Sequence, residues 1–187
     1  VKMVSRAVEC ALIVADMPFL SYQVNVEEAV RNAGRFVAEG GAHAVKLEGP
    51  ADKFGDVIAG ILRTGIPVMG HIGFTPQAIH QIGGYKVQGR EPADRVRLKE
   101  EALGLQEVGC FALVLELVAA DLASEISRML TIPTIGIGSG RGCDGQVLII
   151  HDMLGFNEPK KFFKVFGDAK TLITEAIKDY VREVKAG

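Results

Sequence analysis

Hydrophobic and polar positions alternate in blocks along this chain. Short apolar runs predict buried strands at residues 10–15, 43–47, 66–70, 111–115, 134–137 and 146–150, and an acidic residue, a histidine or a glycine follows each run. Apolar positions at helical spacing predict helices at residues 27–39, 52–64, 93–108, 121–130 and 168–185. Strand and helix therefore alternate, which is typical of a parallel sheet with helices packed against it.

Two α/β folds share this alternation, the open doubly wound sheet and the closed barrel. No G-x-G-x-x-G motif opens the first helix, as a dinucleotide-binding doubly wound fold would require. Polar residues follow strand after strand, as they do at the catalytic face of a barrel. The pattern therefore predicts an α/β protein with a (β/α)8 TIM barrel.

The strand count is lower than a closed barrel requires. Six strands are predicted in 187 residues, whereas the barrel has eight strands in about 250 residues. Residues 1–6 resemble the end of a helix that leads into the first predicted strand. We therefore expect residues 1–187 to form a single barrel domain that is N-terminally incomplete, with the first two strands absent from this chain through disorder or cleavage.

Composition and charge narrow the class of partner. The chain has 48% hydrophobic and 24% charged residues and a net charge of −2, so it offers no basic field for nucleic acid or an anionic membrane. Cys10, Cys110 and Cys143 fit no metal or redox spacing, and we expect buried free thiols. No apolar run reaches the length of a membrane span, and no secretory leader opens the chain. These features favour a cytoplasmic protein with a small-molecule partner.

Two carboxylates stand at equivalent strand ends. Asp16 and Glu48 are each the first polar residue after a buried strand, and a divalent cation such as Mg²⁺ would relieve their mutual repulsion. The alternative is that each acid interacts with the N-terminus of the following helix. Lys46 lies two residues before Glu48 and shares its face of the strand, where it would bind an acidic substrate or form a structural ion pair.

The next two strands end on residues suited to proton transfer. His71 follows the third strand between Gly70 and Gly73, where it would donate to a substrate carbonyl or serve only as a core or capping residue. Glu116 ends the very apolar run 111–115, and a buried carboxylate is costly unless it is paired or used. We predict Glu116 as a general base, with a salt bridge to Lys46 or Arg90 as the alternative.

Two glycine-rich segments complete the candidate set. Residues 82–92 form a long polar segment of the kind that is usually functional in a compact domain. Gly136, Gly138 and Gly140 would let backbone amides face a phosphate, or would serve close packing of strand and helix. The remaining histidines show less context and receive no role.

Seven segments resemble the ketopantoate hydroxymethyltransferase family, and they follow the family order through nearly the whole chain. They are Ala15-Asp-Met-Pro-Phe19, Val45-Lys-Leu-Glu-Gly49, Gly70-His-Ile-Gly-Phe-Thr-Pro-Gln77, Gly83-Gly-Tyr-Lys-Val-Gln-Gly-Arg90, Leu113-Val-Leu-Glu116, Ile132-Pro-Thr-Ile-Gly-Ile-Gly138 and Asp144-Gly-Gln-Val-Leu-Ile-Ile-His-Asp152.

The resemblance implies an activity and a set of roles. It implies transfer of a hydroxymethyl group from 5,10-methylenetetrahydrofolate to 3-methyl-2-oxobutanoate, giving 2-dehydropantoate for pantothenate and coenzyme A synthesis. It implies that Asp16 and Glu48 bind Mg²⁺ and that Asp16 also binds the substrate. It further implies Glu116 as the base, Lys46 as a substrate contact and His71 as a polar neighbour of the substrate. The family also forms large homo-oligomers, commonly decamers.

The chain departs from the family pattern in places, and other functions stay open. The family's first two strands carry a Gly-Asp-Ser motif whose aspartate is a metal ligand and whose serine contacts substrate. That motif is absent here, and Ser139 stands where alanine is commoner.

One alternative function is that of a Mg²⁺-dependent lyase or mutase of the phosphoenolpyruvate and isocitrate lyase type, although residues 82–90 lack the reactive cysteine of those enzymes. The other is a catalytically silent subunit of an oligomer.

Overall fold

A computed structural model describes residues 1–158 and 163–187, which form two compact units, 1–146 and 147–187. The first unit contains α1 (Lys2–Ser5), β1 (Val14–Asp16), α2 (Val26–Ala38), β2 (Ala44–Glu48), α3 (Ala51–Leu62), β3 (Val68–Gly73), a 3₁₀ turn (Pro76–Ala78), α4 (Ile79–Ile82), α5 (Pro92–Val108), β4 (Ala112–Glu116), α6 (Ala120–Met129), β5 (Thr134–Ile137) and β6 (Gly145–Gln146). The second unit contains α7 (Ile150–Met153) and α8 (Ala169–Ala186).

All six strands form one parallel sheet in the order β1-β2-β3-β4-β5-β6. A doubly wound sheet reverses its strand order at a switch point, whereas a barrel adds each strand beside the one before it. The observed order follows the second scheme. The prediction of an α/β fold built on a parallel sheet is therefore confirmed, and the order of the strands is the one that a barrel uses.

The two faces of the sheet have different characters because successive side chains of a strand point to opposite sides. One face joins the core with the helices, and each large apolar side chain, such as a leucine or an isoleucine, stabilises the fold by about 1.5–3 kcal/mol when it is buried there. The strand residues of this core include Ala15, Leu47, Ile72, Leu113 and Leu115, and the helical residues include Ala33, Ile58, Ile61, Leu98, Leu105, Leu122 and Ile126. The opposite face carries the polar residues that alternate with these strand positions.

Local signals in the sequence explain where several helices begin and end. The side chain of Asn25 accepts a hydrogen bond from the N–H of Glu28 at 2.8 Å and so caps α2. Pro92 occupies the first turn of α5, and Gly109 ends that helix in the left-handed conformation that glycine adopts without strain.

Three sequence-based expectations need correction. The sixth strand was predicted at residues 146–150, but β6 covers only Gly145–Gln146, and Ile150 begins α7. The reason is that the periodicity of a short apolar run does not distinguish a strand from a helix. The first strand was predicted at residues 10–15, but β1 covers only Val14–Asp16. Of the three free cysteines only Cys110 is buried, which raises its pKa to about 12, and Cys10 is exposed.

The second unit contains the amphipathic helix that the pattern predicted. Its large apolar side chains are exposed, and none of the residues of α8 is buried. Among residues 1–158 and 163–187, no helix combines the length and apolar character that crossing a bilayer requires.

Gly73 ends β3 at a point where two strands come unusually close. Its φ is +94°, and a Cβ atom there would collide with the backbone oxygen of Glu116 and lie 2.7 Å from Cγ2 of Val118. Both the conformation and the space therefore require glycine. This close approach holds the end of β3 against the end of β4.

A polar anchor joins β5 to the segment before β6. One carboxylate oxygen of Asp144 accepts hydrogen bonds from the backbone N–H of Thr134 at 2.8 Å and from its hydroxyl at 2.9 Å. These hydrogen bonds, the backbone one first, hold the pKa of Asp144 below its ordinary value. The ionised carboxylate is therefore the form that stabilises this connection.

Substitution of Gly73 tests the contact between the strand ends. Gly73→Ala is expected to lower the free energy of unfolding by about 2 kcal/mol or more, because the new methyl group is forced against backbone in a strained conformation. Gly55→Ala in α3, where a Cβ atom meets nothing within 4 Å, is the matched control and is expected to add about 0.5–1 kcal/mol. Urea denaturation measures both, and equal destabilisation by the two changes would contradict the assignment.

The pH dependence of unfolding tests the Asp144 anchor. Because the pKa of Asp144 is lower in the folded chain, its stabilising effect is present at neutral pH and is lost as pH falls from the ordinary carboxyl range through the folded pKa. Asp144→Asn should therefore unfold more easily than the parent at pH 7, with a difference that shrinks in acid. Asp56→Asn, on exposed α3 surface, should stay within about 0.5 kcal/mol of the parent throughout.

Candidate active site

The structure brings all five predicted site residues together on the polar face of the sheet. Asp16 ends β1, Lys46 and Glu48 lie on β2, His71 lies on β3 and Glu116 ends β4. The strand register pairs Asp16 with Lys46, Glu48 with His71, and Gly73 with Glu116. Carboxyl ends of parallel strands meet at one edge, which explains why residues so distant in sequence become neighbours.

Four of these side chains form a continuous polar chain across three strand boundaries. The Asp16 carboxylate lies 2.8 Å from the Lys46 ammonium. That ammonium lies 3.2 Å from Nδ1 of His71, and Nε2 of His71 lies 3.3 Å from the Glu116 carboxylate. Among the described residues the ion-pair partner of Glu116 is thus His71, and neither Lys46 nor Arg90 takes that place.

The contact with Lys46 determines which nitrogen of His71 carries the proton. A lysine ammonium has only donors, so Nδ1 of His71 must accept from Lys46. The neutral imidazole then carries its hydrogen on Nε2, which faces Glu116. His71 is therefore arranged as an N–H donor at Nε2 and not as a base at that atom.

The Nε2 atom of His71 is a buried donor without an acceptor. His71 is 2% exposed, and within the described part of the chain its Nε2 atom makes no hydrogen bond, because the 3.3 Å contact with Glu116 is poorly aligned for one. An unsatisfied buried donor costs about 1–3 kcal/mol. Such an atom calls for an explanation, and an oxygen of a bound ligand would provide its acceptor.

Glu48 is buried, unlike the half-exposed Asp16. It is 6% exposed, and its Oε2 atom accepts a hydrogen bond from the backbone N–H of Gln77 at 2.9 Å. Burial raises the pKa of Glu48 above its ordinary value, an effect that the Gln77 N–H and the charge of Lys46 oppose. The negative charge of Asp16 adds to the increase, so the two carboxylates repel each other.

The two carboxylates fit a divalent cation as part of a mixed ligand set. Mg²⁺ is commonly held by one or two carboxylates, with water and substrate oxygens in the other positions. Asp16 and Glu48 supply two such oxygen donors at adjacent strand ends. Within residues 1–158 and 163–187, no group of three or more His, Cys, Asp and Glu side chains forms a complete metal cluster.

An open cleft of about 600 Å³ lies beside Glu48. Its walls include Glu48 and Gln77 from the strand ends, Phe54 from α3, and Arg97 from α5. Asp16, Lys46, His71 and Glu116 are not among its lining residues. The cleft therefore reaches Glu48 but none of the four side chains of the polar chain, and it offers space for a larger second ligand.

Gly136 in β5 and Gly140 after it lie where close packing needs a glycine. A Cβ atom at Gly140, whose φ is +78°, would lie 2.5 Å from Cβ of Ala120, and one at Gly136 would lie 3.1 Å from Sγ of Cys143. Of the two alternatives that the sequence left open for these glycines, the contacts favour packing. His43 likewise has a structural role, since its Nδ1 atom accepts a hydrogen bond from the N–H of Ile13 at 3.0 Å.

Sequence reasoning missed two residues around Glu48. The Tyr22 hydroxyl accepts from the backbone N–H of Glu48 at 3.1 Å, and the Gln77 side chain donates to the carbonyl of Met17 at 2.8 Å. Gln77 closes the segment Gly70–Gln77 that resembles the family, but Tyr22 lies in a connection without any recognisable pattern. Only the three-dimensional contacts reveal this network.

A parallel sheet with sequential strands and an acid–base chain at their carboxyl ends defines a barrel-type α/β enzyme. Comparison with known proteins makes this specific. The family model of ketopantoate hydroxymethyltransferase matches residues 1–187, and the chain belongs to that family.

Named relatives agree with the family match. The 3-methyl-2-oxobutanoate hydroxymethyltransferase of Geobacter sulfurreducens is 56% identical over 186 residues, which are 98% of this chain and 69% of the relative. The enzyme of the same name from Thermoanaerobacter sp. (strain X514) is 48% identical over 186 residues, covering 98% of this chain and 68% of the relative.

A solved structure supports the fold. A protein of Burkholderia cenocepacia J2315, provisionally named a phosphonomutase, superposes with a TM-score of 0.53 at 12% identity, covering 93% of this chain and 70% of its own. At this identity the likeness concerns the fold alone. It agrees with a curled, parallel, six-stranded sheet of half-barrel form.

The tautomer of His71 tests the polar chain. Nitrogen-detected NMR of the imidazole should show the Nε2–H tautomer, because Nδ1 accepts from Lys46. Lys46→Met removes that donor and should raise the population of the Nδ1–H tautomer. Lys170→Met, at an exposed position of α8, is the control and should leave the His71 signals unchanged. A predominant Nδ1–H form in the parent protein would contradict the proposed chain.

Proposed function

We propose that this protein transfers a hydroxymethyl group from 5,10-methylenetetrahydrofolate to 3-methyl-2-oxobutanoate, forming 2-dehydropantoate. The observation that carries the proposal is the chain from Asp16 through Lys46 and His71 to Glu116, beside the buried Glu48. It occurs in a member of the ketopantoate hydroxymethyltransferase family, whose relatives carry the name of this reaction.

The first chemical step is removal of a proton from C3 of the 2-oxo acid. That C–H bond is acidified by the neighbouring keto group, and Glu116 would accept the proton, a role supported by its position at the end of β4 beside His71. The Nε2–H of His71, which has no acceptor among the described residues, would donate to the oxygen on which negative charge develops. The Lys46 ammonium would neutralise charge on the acid.

The metal would lie at the other end of the site. Asp16 and Glu48 would hold Mg²⁺, and when bound this ion would act as a Lewis acid toward the oxygens of the 2-oxo acid. Of these two carboxylates, that of Glu48 is shielded from bulk water by its burial. Asp16 would then contact both the cation and the substrate.

Bond formation completes the transfer. The nucleophilic C3 attacks the one-carbon unit of the folate, a new C–C bond forms, and water supplies the oxygen of the hydroxymethyl group while tetrahydrofolate leaves. The cleft beside Glu48 offers space for the folate. The proton removed by Glu116 returns to the departing amine or to solvent.

The finer fold and the assembly belong to the same proposal. We propose that the six sequential strands are part of a closed (β/α)8 barrel in a single domain, which their order supports. A homo-oligomer, a decamer by family resemblance, and a cytoplasmic location stay predictions.

The competing functions have less support. The lyase or mutase alternative has only the fold likeness at 12% identity, whereas the family match covers the whole chain. A silent oligomer subunit would have no use for a buried carboxylate and an unsatisfied buried donor, both of which cost stability. The proposed enzyme uses both features.

Deuterium exchange at C3 of 3-methyl-2-oxobutanoate tests the first step in isolation. With Mg²⁺ and without folate, the protein should catalyse exchange that NMR follows directly. Glu116→Gln should slow this exchange by about 100-fold or more, since a general base typically contributes that much. Glu107→Gln, on the exposed surface of α5, is the matched control and should exchange at the parent rate. Exchange that survives in Glu116→Gln would show that another group is the base.

A further inference from the structure

Two side chains outside the polar chain join the ends of the first three strands. Tyr22 lies in the connection after β1, and Gln77 lies in the 3₁₀ turn after β3. Both reach Glu48, which ends β2. We call these two residues the strand-end clamp.

Tyr22 fixes the backbone of Glu48. It is 1% exposed, and its hydroxyl oxygen accepts from the Glu48 N–H at 3.1 Å. The hydroxyl proton lies within reach of two oxygens, the carbonyl of Glu48 at 3.0 Å and Oε1 of Gln77 at 3.1 Å. Phe54 packs edge-on against the ring with centroids 5.3 Å apart. Burial keeps the pKa of Tyr22 above its ordinary value, so the hydroxyl stays a donor.

Gln77 fixes the carboxylate of Glu48 and connects it to β1. Its backbone N–H donates to Oε2 of Glu48 at 2.9 Å. Its side-chain nitrogen donates to the carbonyl of Met17 at 2.8 Å, and its side-chain oxygen accepts from Gln23 at 2.8 Å. These partners determine the orientation of the amide, because one end meets an acceptor and the other meets donors.

The clamp leaves one ligand position open on Glu48. Among the described residues, the Gln77 N–H is the hydrogen-bond donor to this carboxylate, so Oε1 has no donor from the protein. Met17 directly follows Asp16, so the bond from Gln77 to Met17 also fixes the end of β1. One residue, Gln77, therefore connects the two strand ends that carry the predicted metal ligands, through its backbone N–H at Glu48 and its side-chain nitrogen at Met17.

We propose that Tyr22 and Gln77 are positioning residues that set the separation and orientation of the Asp16 and Glu48 carboxylates for a divalent cation. The inference rests on the metal assignment made under the proposed function. Neither residue contacts Glu116, His71 or Lys46 through a hydrogen bond or ion pair in the described part of the chain. The clamp should therefore affect metal binding more than proton removal.

Binding of Mn²⁺, a paramagnetic substitute for Mg²⁺, tests the clamp. Tyr22→Phe keeps the ring and removes the hydroxyl, while Gln77→Leu keeps the size of the side chain and removes its amide. Each should raise the Kd for Mn²⁺, followed by electron paramagnetic resonance of the free ion, by about 10–100-fold, as is typical for residues that orient metal ligands. At saturating Mg²⁺ the rate of deuterium exchange should return to within about threefold of the parent rate.

The controls separate positioning from general destabilisation. Tyr180→Phe, which removes a hydroxyl from a residue that is 69% exposed on α8, should leave the Kd unchanged. Thermal unfolding followed by circular dichroism shows whether each variant is folded. Gln77→Leu keeps the Tyr22 ring against Phe54 and the hydrogen bonds between Tyr22 and Glu48, so it decides the question if Tyr22→Phe does not fold.

The possible results distinguish this inference from the function on which it rests. A Kd within about twofold of the parent value in a folded variant overturns the clamp while the metal assignment stands. Absence of Mn²⁺ binding by the parent overturns both. A weakened Kd in the variants together with an absence of deuterium exchange in the parent would support the clamp and overturn the proposed reaction.

Discussion

The strict alternation of side chains along parallel strands is the constraint on which this site depends. Lys46, Glu48, His71 and Glu116 occupy every second position, and the intervening residues Leu47, Ile72 and Leu115 join the core under the helices. A slip of one residue in β2 or β4 would place a charged group in that core and expose a leucine, and a slip in β3 would exchange His71 with Ile72 in the same way. The burial of these apolar side chains therefore fixes the register of the strands. The same register fixes the relative positions of the polar side chains in the site.

The distribution of charge at the strand ends follows from this arrangement. Three carboxylates, those of Asp16, Glu48 and Glu116, share one edge with a single ammonium, that of Lys46. Lys46 balances the carboxylate at one side and orients the imidazole at the other. The remaining negative charge near Glu48 is what a bound cation would neutralise. The pKa of Glu48 is raised first by its burial, and the charge of Asp16 adds to the increase.

Sequence patterns located the polar residues at the carboxyl ends of β1, β2, β3 and β4. Asp16, Glu48, His71 and Glu116 were found because an apolar run followed by one polar side chain marks the carboxyl end of a buried strand. Tyr22 and Gln77 were not found. They lie in the connections after β1 and β3, and their contacts with Glu48 depend on how these connections fold together. The sixth strand was predicted too late in the chain because the apolar run at residues 147–150 suits a strand and a helix equally well. The pairing with β5, which extends only to Gln146, is what limits β6.

The bare Nε2–H of His71 has a consequence for selectivity. A buried donor that the protein leaves unsatisfied discriminates strongly between ligands that carry an acceptor oxygen at that point and ligands of the same shape that lack it. A purely apolar pocket recognises size and tolerates such differences. In the proposed reaction, this donor would make an acceptor oxygen, such as the keto oxygen of the 2-oxo acid, a requirement for tight binding.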